Sequence, residues 1–355
     1  MPSVATNDIE TYYERRGDGP PVVFVHGAAV DHAQWEPQFE ALADEYTVVA
    51  YDVRGHGRTG GSDREAYSID LFATDLAALI DALDLEAPVV CGLSMGGCIA
   101  MAFAAEYPDQ LSGLVLADTF GPVPLTFGER VQRLGLRATI PPARLIGYER
   151  VERAMVWLQQ RGSDEGVAGE YDRIETLRER GPTMSTAEFP KVIRALATFE
   201  RSVVDLSAID VPTLALYGEH DAEFIRRQMR SLASLIEHAT LLAVPHAGHA
   251  SNLGNEAFVD GAIRGHLRRV WPHYSPRHEA GPGPAAASPP AQATEPRARL
   301  LGRMSEPGSR DRPRVAVYPD GGGPPARTVS PQVRSSARTR ASGTPATDRR
   351  RGAAR

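Results

Sequence analysis

The stretch "GLSMGG", Gly92 to Gly97, sets one hydroxyl, that of Ser94, among glycines directly after the apolar run "APVVC". A serine oxygen is a weak nucleophile until a base takes its proton and a third group orients that base. A serine between glycines also serves as a plain turn residue, so the chemistry depends on partners elsewhere in the chain. Two are present. After the apolar run "TLALY" comes "GEHD", which puts Asp221 in the following loop, and after "TLLAV" comes "PHAGH", which puts His249 in the next. Ser, Asp, His is the chain order expected when the nucleophile sits on a strand-to-helix turn.

Such a turn needs a sheet whose strand ends gather these loops. Short β-branched runs recur with helical stretches between them: Val22 to His26, Thr47 to Tyr51, Pro88 to Gly92, Gly113 to Ala117, Thr213 to Tyr217 and Thr240 to Val244. Continuous apolar strands alternating with helices predict an α/β fold, a mostly parallel central sheet with helices on both faces. Ligands of such sheets bind at the carboxyl ends of the strands, and Ser94 lies two residues past one. Gly92, Gly96 and Gly97 give the sharp turn room, and the N-terminus of the small-residued helix "MGGCIAMAFAAEY" favours negative charge developing at the serine. From Phe120 to about Arg201 no strand is evident. Arginine and leucine patterns there, broken by Pro141, Pro142, Pro182 and Pro190, predict a helical insertion over the sheet.

Charge divides the chain unevenly. Residues 1–274 carry 24 basic and 39 acidic residues, a net of −15, while residues 275–355 carry 15 Arg, no Lys and 6 acids. That tail is rich in Pro, Ala, Gly and Ser without apolar periodicity, a composition expected to stay disordered. Its scattered arginines, without interleaved aromatics, give no nucleic-acid partner, only a salt-sensitive attraction to polyanions. The single lysine is Lys191. An acid-rich, lysine-poor surface fits solubility in concentrated salt or a GC-rich genome equally well. Two cysteines, Cys91 and Cys98, give no disulfide framework and read as buried packing residues. The histidines come from separate loops without ligand spacing, so no metal site is expected, and no cofactor either. The start "MPSVATNDIE" lacks a basic and apolar leader, and no run approaches the roughly 18 apolar residues of a membrane span. The expectation is a cytoplasmic protein acting on a small-molecule substrate, away from membranes.

Five ordered motifs, "FVHGAAV", "YDVRGHGRTGGS", "GLSMGG", "VPTLALYGEHD" and "VPHAGHA", resemble those of the α/β-hydrolase superfamily, over about residues 9 to 271. The resemblance implies Ser94 as nucleophile, His249 as general base and then acid, and Asp221 as the residue fixing the histidine tautomer. It also implies an oxyanion hole from the backbone N–H groups of Ala28 and Met95. Asp118, after "GLVLA", competes with Asp221, because some family members draw their acid from that position. Family spacing leaves Glu219 solvated and His246 a loop residue. His26 and His56 read as turn-shaping hydrogen bonders.

A serine in place of an aspartate at the elbow points to an acyl-enzyme, and "RGHGRT" with "GLSMGG" is similar to the 3-oxoadipate enol-lactonase, aryl-esterase and non-haem haloperoxidase-like subgroup. Hydrolysis of a small carboxylic ester or lactone is the function this implies. The alternatives are a carbon–carbon bond hydrolase, a lyase or an acyltransferase on the same residues, or a small-molecule sensor with little turnover. The expected organisation is hydrolase core over residues 1–120 and 205–272, helical cap over 121–204, and tail over 273–355. The span 121–201 carries a net charge of +2, which would not repel an anionic substrate.

Overall fold

Uninterrupted β-branched runs become strands, and six of these are where the sequence puts them. A computed structural model describes residues 2–151, 153–154, 168–181, 183–199 and 204–274. The six are β3 (Pro21–Val25), β4 (Thr47–Tyr51), β5 (Val89–Leu93), β6 (Gly113–Ala117), β7 (Thr213–Gly218) and β8 (Ala239–Val244). Two further strands, β1 (Ser3–Thr6) and β2 (Ile9–Arg16), form an antiparallel edge hairpin that the sequence reading lacked. The charged "IETYYERR" of β2 is half-buried between β1 and β4, not an apolar run, and the hairpin's turn residue Asn7 takes φ 39°.

The eight strands make one sheet in the order β1-β2-β4-β3-β5-β6-β7-β8. β2 meets β4 antiparallel, and every pairing from β4 to β8 is parallel. The fold is therefore α/β with a mostly parallel sheet. Among the described residues the longer helices are α1 (Glu36–Leu42), α2 (Ile69–Ala82), α3 (Met95–Glu106), α4 (Phe127–Ala138), α5 (Ile140–Ile146), α6 (Ala168–Glu179), α7 (Phe189–Thr198), α8 (Glu223–Leu235) and α9 (Glu256–Val270).

The period-two alternation of a strand splits the core in two. Val23, Val25, Val49, Val90 and Leu114 pack with Phe72, Leu76, Ile99, Phe103 and Met229 of α2, α3 and α8. Their neighbours Val22, Phe24, Val48, Cys91 and Val115 pack on the other face with Phe39 and Leu42 of α1 and Val259, Ile263 and Leu267 of α9. Both cysteines are buried and free.

Between β6 and β7 the described residues hold α4 to α7. Pro141 and Pro142 do more than break α4: they occupy the first turn of α5, where a missing N–H costs nothing, and Pro190 does the same in α7. At the other end, the Tyr274 hydroxyl donates to the Glu45 carbonyl at 2.6 Å. The arginine-rich segment from Ser275 onward, with Pro182 and parts of the 121–204 span, lies outside the described residues. No helix among the described residues is long and apolar enough to cross a membrane.

Candidate active site

β5 delivers Ser94 to the sheet's carboxyl edge in a conformation that only close packing sustains. Ser94 takes φ 53° and ψ −111° as the residue preceding α3. A non-glycine in this region costs on the order of 1–3 kcal/mol, held here by surrounding hydrogen bonds. Its N–H donates to the Ala117 carbonyl at 2.9 Å, and its carbonyl accepts from Cys98 N–H at 3.1 Å and the Thr119 hydroxyl at 2.6 Å. The glycines are required by contact. A Cβ on Gly92 would lie 2.2 Å from the Gly96 carbonyl oxygen, and one on Gly96 would lie 2.0 Å from that of Val25.

The loop after β3 closes against this elbow. A Cβ on Gly27 would sit 3.6 Å from the Ser94 Cβ. Gly27 N–H donates to Gln34 Oε1 at 2.7 Å, and Trp35 Nε1 donates to the Val25 carbonyl at 3.0 Å. Ala28 lies between this anchored glycine and Ala29, which takes φ 58°. Met95 opens α3, where the first N–H groups have no acceptor within the helix. His26 is fully buried beneath the loop, with Nδ1 2.7 Å from the Gly27 carbonyl and Nε2 accepting from Val53 N–H at 2.9 Å. Burial holds its pKa below the ordinary histidine value. His56, also buried, is pushed down to about 3, first by desolvation and then by its neighbour His26.

His249 bridges the two remaining groups. Its Nε2 is 3.0 Å from Ser94 Oγ, and its Nδ1 is 3.0 and 3.2 Å from the two carboxylate oxygens of Asp221. Asp221 is nearly buried and also accepts from Ala222 N–H at 2.6 Å. Packing among protein atoms would lower the His249 pKa, but Asp221 outweighs this, with help from Asp118 and Glu170, and lifts it to about 9.

Asp118 lies close by and is engaged otherwise. Its carboxylate accepts from Gly218 N–H at 2.8 Å and Ser251 N–H at 3.0 Å, tying the end of β6 to β7 and to the turn after His249. Burial, with the nearby Asp221 charge, pushes its pKa well above the carboxylate range.

Glu170 of α6 is a participant that the sequence reading missed. It is 3% exposed, and its carboxylate accepts from Gly248 N–H and, at 3.0 Å, from Ala250 N–H, the groups on either side of His249. Burial raises its pKa in spite of these two donors. Nothing in the chain marks Glu170, since the contact spans 78 residues.

Comparison with known proteins agrees with this architecture. The sequence pattern of the alpha/beta hydrolase fold family matches residues 20–256. The chain is 25% identical over 270 residues to 3-oxoadipate enol-lactonase 2 of Acinetobacter baylyi, covering 75% of this chain and 96% of that protein. It is 28% identical to 2-hydroxy-6-oxo-2,4-heptadienoate hydrolase of Pseudomonas putida, covering 69% of this chain and 88% of that one. A thermophilic esterase from Thermogutta terrifontis superposes with a TM-score of 0.66 at 31% identity, covering 76% of this chain and 98% of its own.

Proposed function

The chain belongs to the alpha/beta hydrolase fold family, and on that premise we propose that it is a serine hydrolase cleaving a small carboxylic ester or lactone through an acyl-enzyme. The observation that carries this reading is the unbroken hydrogen-bonded line from Ser94 Oγ through His249 to Asp221. Ser94 Oγ attacks the substrate carbonyl while its proton passes to His249 Nε2. The tetrahedral oxyanion sits against the N–H groups of Ala28 and Met95, donors of a kind whose removal costs about a hundred- to a thousandfold in rate. Collapse returns the proton to the leaving alkoxide, and water activated by His249 then releases the acid. Asp221 holds Nδ1 protonated so that Nε2 faces the serine. In this reading the helices between β6 and β7 act as a cap that shapes the substrate pocket, and the names of the lactonase and esterase relatives support the substrate class.

A second reading, hydrolysis of a carbon–carbon bond by the same three residues, draws on the Pseudomonas putida relative, whose named substrate contains no ester oxygen. A panel of short p-nitrophenyl esters, lactones and dienoate ketones, run beside a fluorophosphonate probe, separates the two. Wild type should turn over esters or lactones and label covalently, and Ser94→Ala should lose both while keeping its circular dichroism spectrum. Undiminished ester turnover in Ser94→Ala would overturn the mechanism, and turnover confined to the dienoate ketones would select the second reading.

A further inference from the structure

Immediately behind the proposed triad, β7 and β8 end in loops that meet. Glu219 and His220 precede Asp221, and His246 lies three residues before His249. The loops are stitched by Glu219 N–H to the Val244 carbonyl at 3.0 Å, His220 N–H to the Ala247 carbonyl at 2.9 Å, and His246 N–H to Glu219 Oε2 at 3.2 Å. All three side chains point to the exposed side, and one ligand atom of each lies within 4.8 Å of the other two. We propose that Glu219, His220 and His246 form a binding site for a divalent zinc-class cation that fastens these two loops to each other.

The donor set decides the class of ion. Two imidazole nitrogens and one carboxylate oxygen suit zinc and its late first-row neighbours, whereas magnesium and calcium take oxygen ligands. Zinc binds nitrogen at about 2.0–2.1 Å, so neighbouring ligand atoms of a tetrahedral site stand roughly 3.3 Å apart. Closing from 4.8 Å needs only side-chain rotation, and because the three groups are exposed, no core packing has to yield. Water completes the coordination. Arg226 donates to the Glu219 backbone carbonyl at 3.1 Å and pairs with Glu223 at 2.7 Å, not with the Glu219 carboxylate. The −15 charge of residues 1–274 draws cations toward this surface. An ion bound there would link the segment carrying Asp221 to the segment carrying His249, restraining their relative movement.

Calorimetric titration of the metal-stripped full chain with zinc chloride tests the site, with thermal melting as a second readout. Both report binding alone, so the outcome is independent of whether Ser94 is the nucleophile. Wild type should show one saturable site and a melting temperature that climbs with the logarithm of zinc concentration. His246→Asn suits the left-handed backbone there, φ 57°, and Glu219→Gln keeps an oxygen to accept from His246 N–H. Each should weaken binding by at least the roughly tenfold that loss of even an outer-shell partner costs, with metal-free melting unchanged. A wild-type titration without a saturable site, or unaltered affinity in both variants, would overturn the assignment.

Discussion

Asp118 leaves the sheet one residue past the end of β6, and Asp221 leaves it three residues past the end of the neighbouring β7. Both are buried aspartates at adjacent strand ends, and both influence His249. Their partners separate them. Asp118 is so close to its strand that its oxygens meet backbone N–H groups of Gly218 and Ser251, whereas the longer lead of Asp221 carries its carboxylate to His249 Nδ1. One aspartate fastens backbone to backbone and the other faces a side chain that can exchange protons, so the length of loop behind an acid shapes its task as much as its residue type does.

The sharpest way to break this contrast is to neutralise each acid in turn. Asp221→Asn should lower kcat by about ten-thousandfold with little change in melting temperature, as the comparable triad change does in serine proteases, because an amide supports the wrong histidine tautomer. A loss of less than tenfold in a folded variant would remove Asp221 from the proposed role.

Asp118→Asn should act mainly on stability. An amide cannot accept from two N–H groups as a carboxylate does, and a buried unmet donor costs about 1–3 kcal/mol. Denaturant titration should record a loss of that order, with kcat in the remaining folded enzyme far closer to wild type than that of Asp221→Asn. A reversed ranking would make Asp118 the catalytic acid.

Glu170 of α6 sharpens the contrast, since it also accepts from backbone but at the histidine's own flanks. The proposed mechanism needs His249 neutral, and its pKa is raised to about 9, so kcat/KM should climb with pH and level off above that value. Glu170→Gln removes one of the charges favouring the imidazolium, so the limb should move to lower pH, by about one unit or less. Glu170→Asp, shortened but still charged, should restore part of the wild-type profile. An unmoved limb would mean that Glu170 acts on structure alone.

Much of this molecule was legible in the sequence because buried parallel strands write their signal locally. Runs such as "VVFV" and "TVVAY" have no competing pattern, and each ends in a loop whose polar residues stand out, as "GLSMGG", "GEHD" and "PHAGH" do. The hairpin of β1 and β2 escaped because β1 is only four residues long and the half-exposed β2 carries charges that dilute its alternation. The first turns of α5 and α7 escaped in part because proline marks helix starts as well as breaks.

The sequence by itself determined the order and type of the elements, the glycines that Ser94 requires, and the shortlist of acids and histidines. These depend on neighbours a few residues apart, where backbone sterics and apolar spacing act directly. Which carboxylate faces His249, that Glu170 reaches across 78 residues to hold its flanks, and that Glu219 and His220 meet His246 were decided only by the tertiary structure. Each of those contacts is set by where the parallel crossovers lay distant loops down along one sheet edge, a placement fixed by packing of the whole core and not written at any one position in the chain.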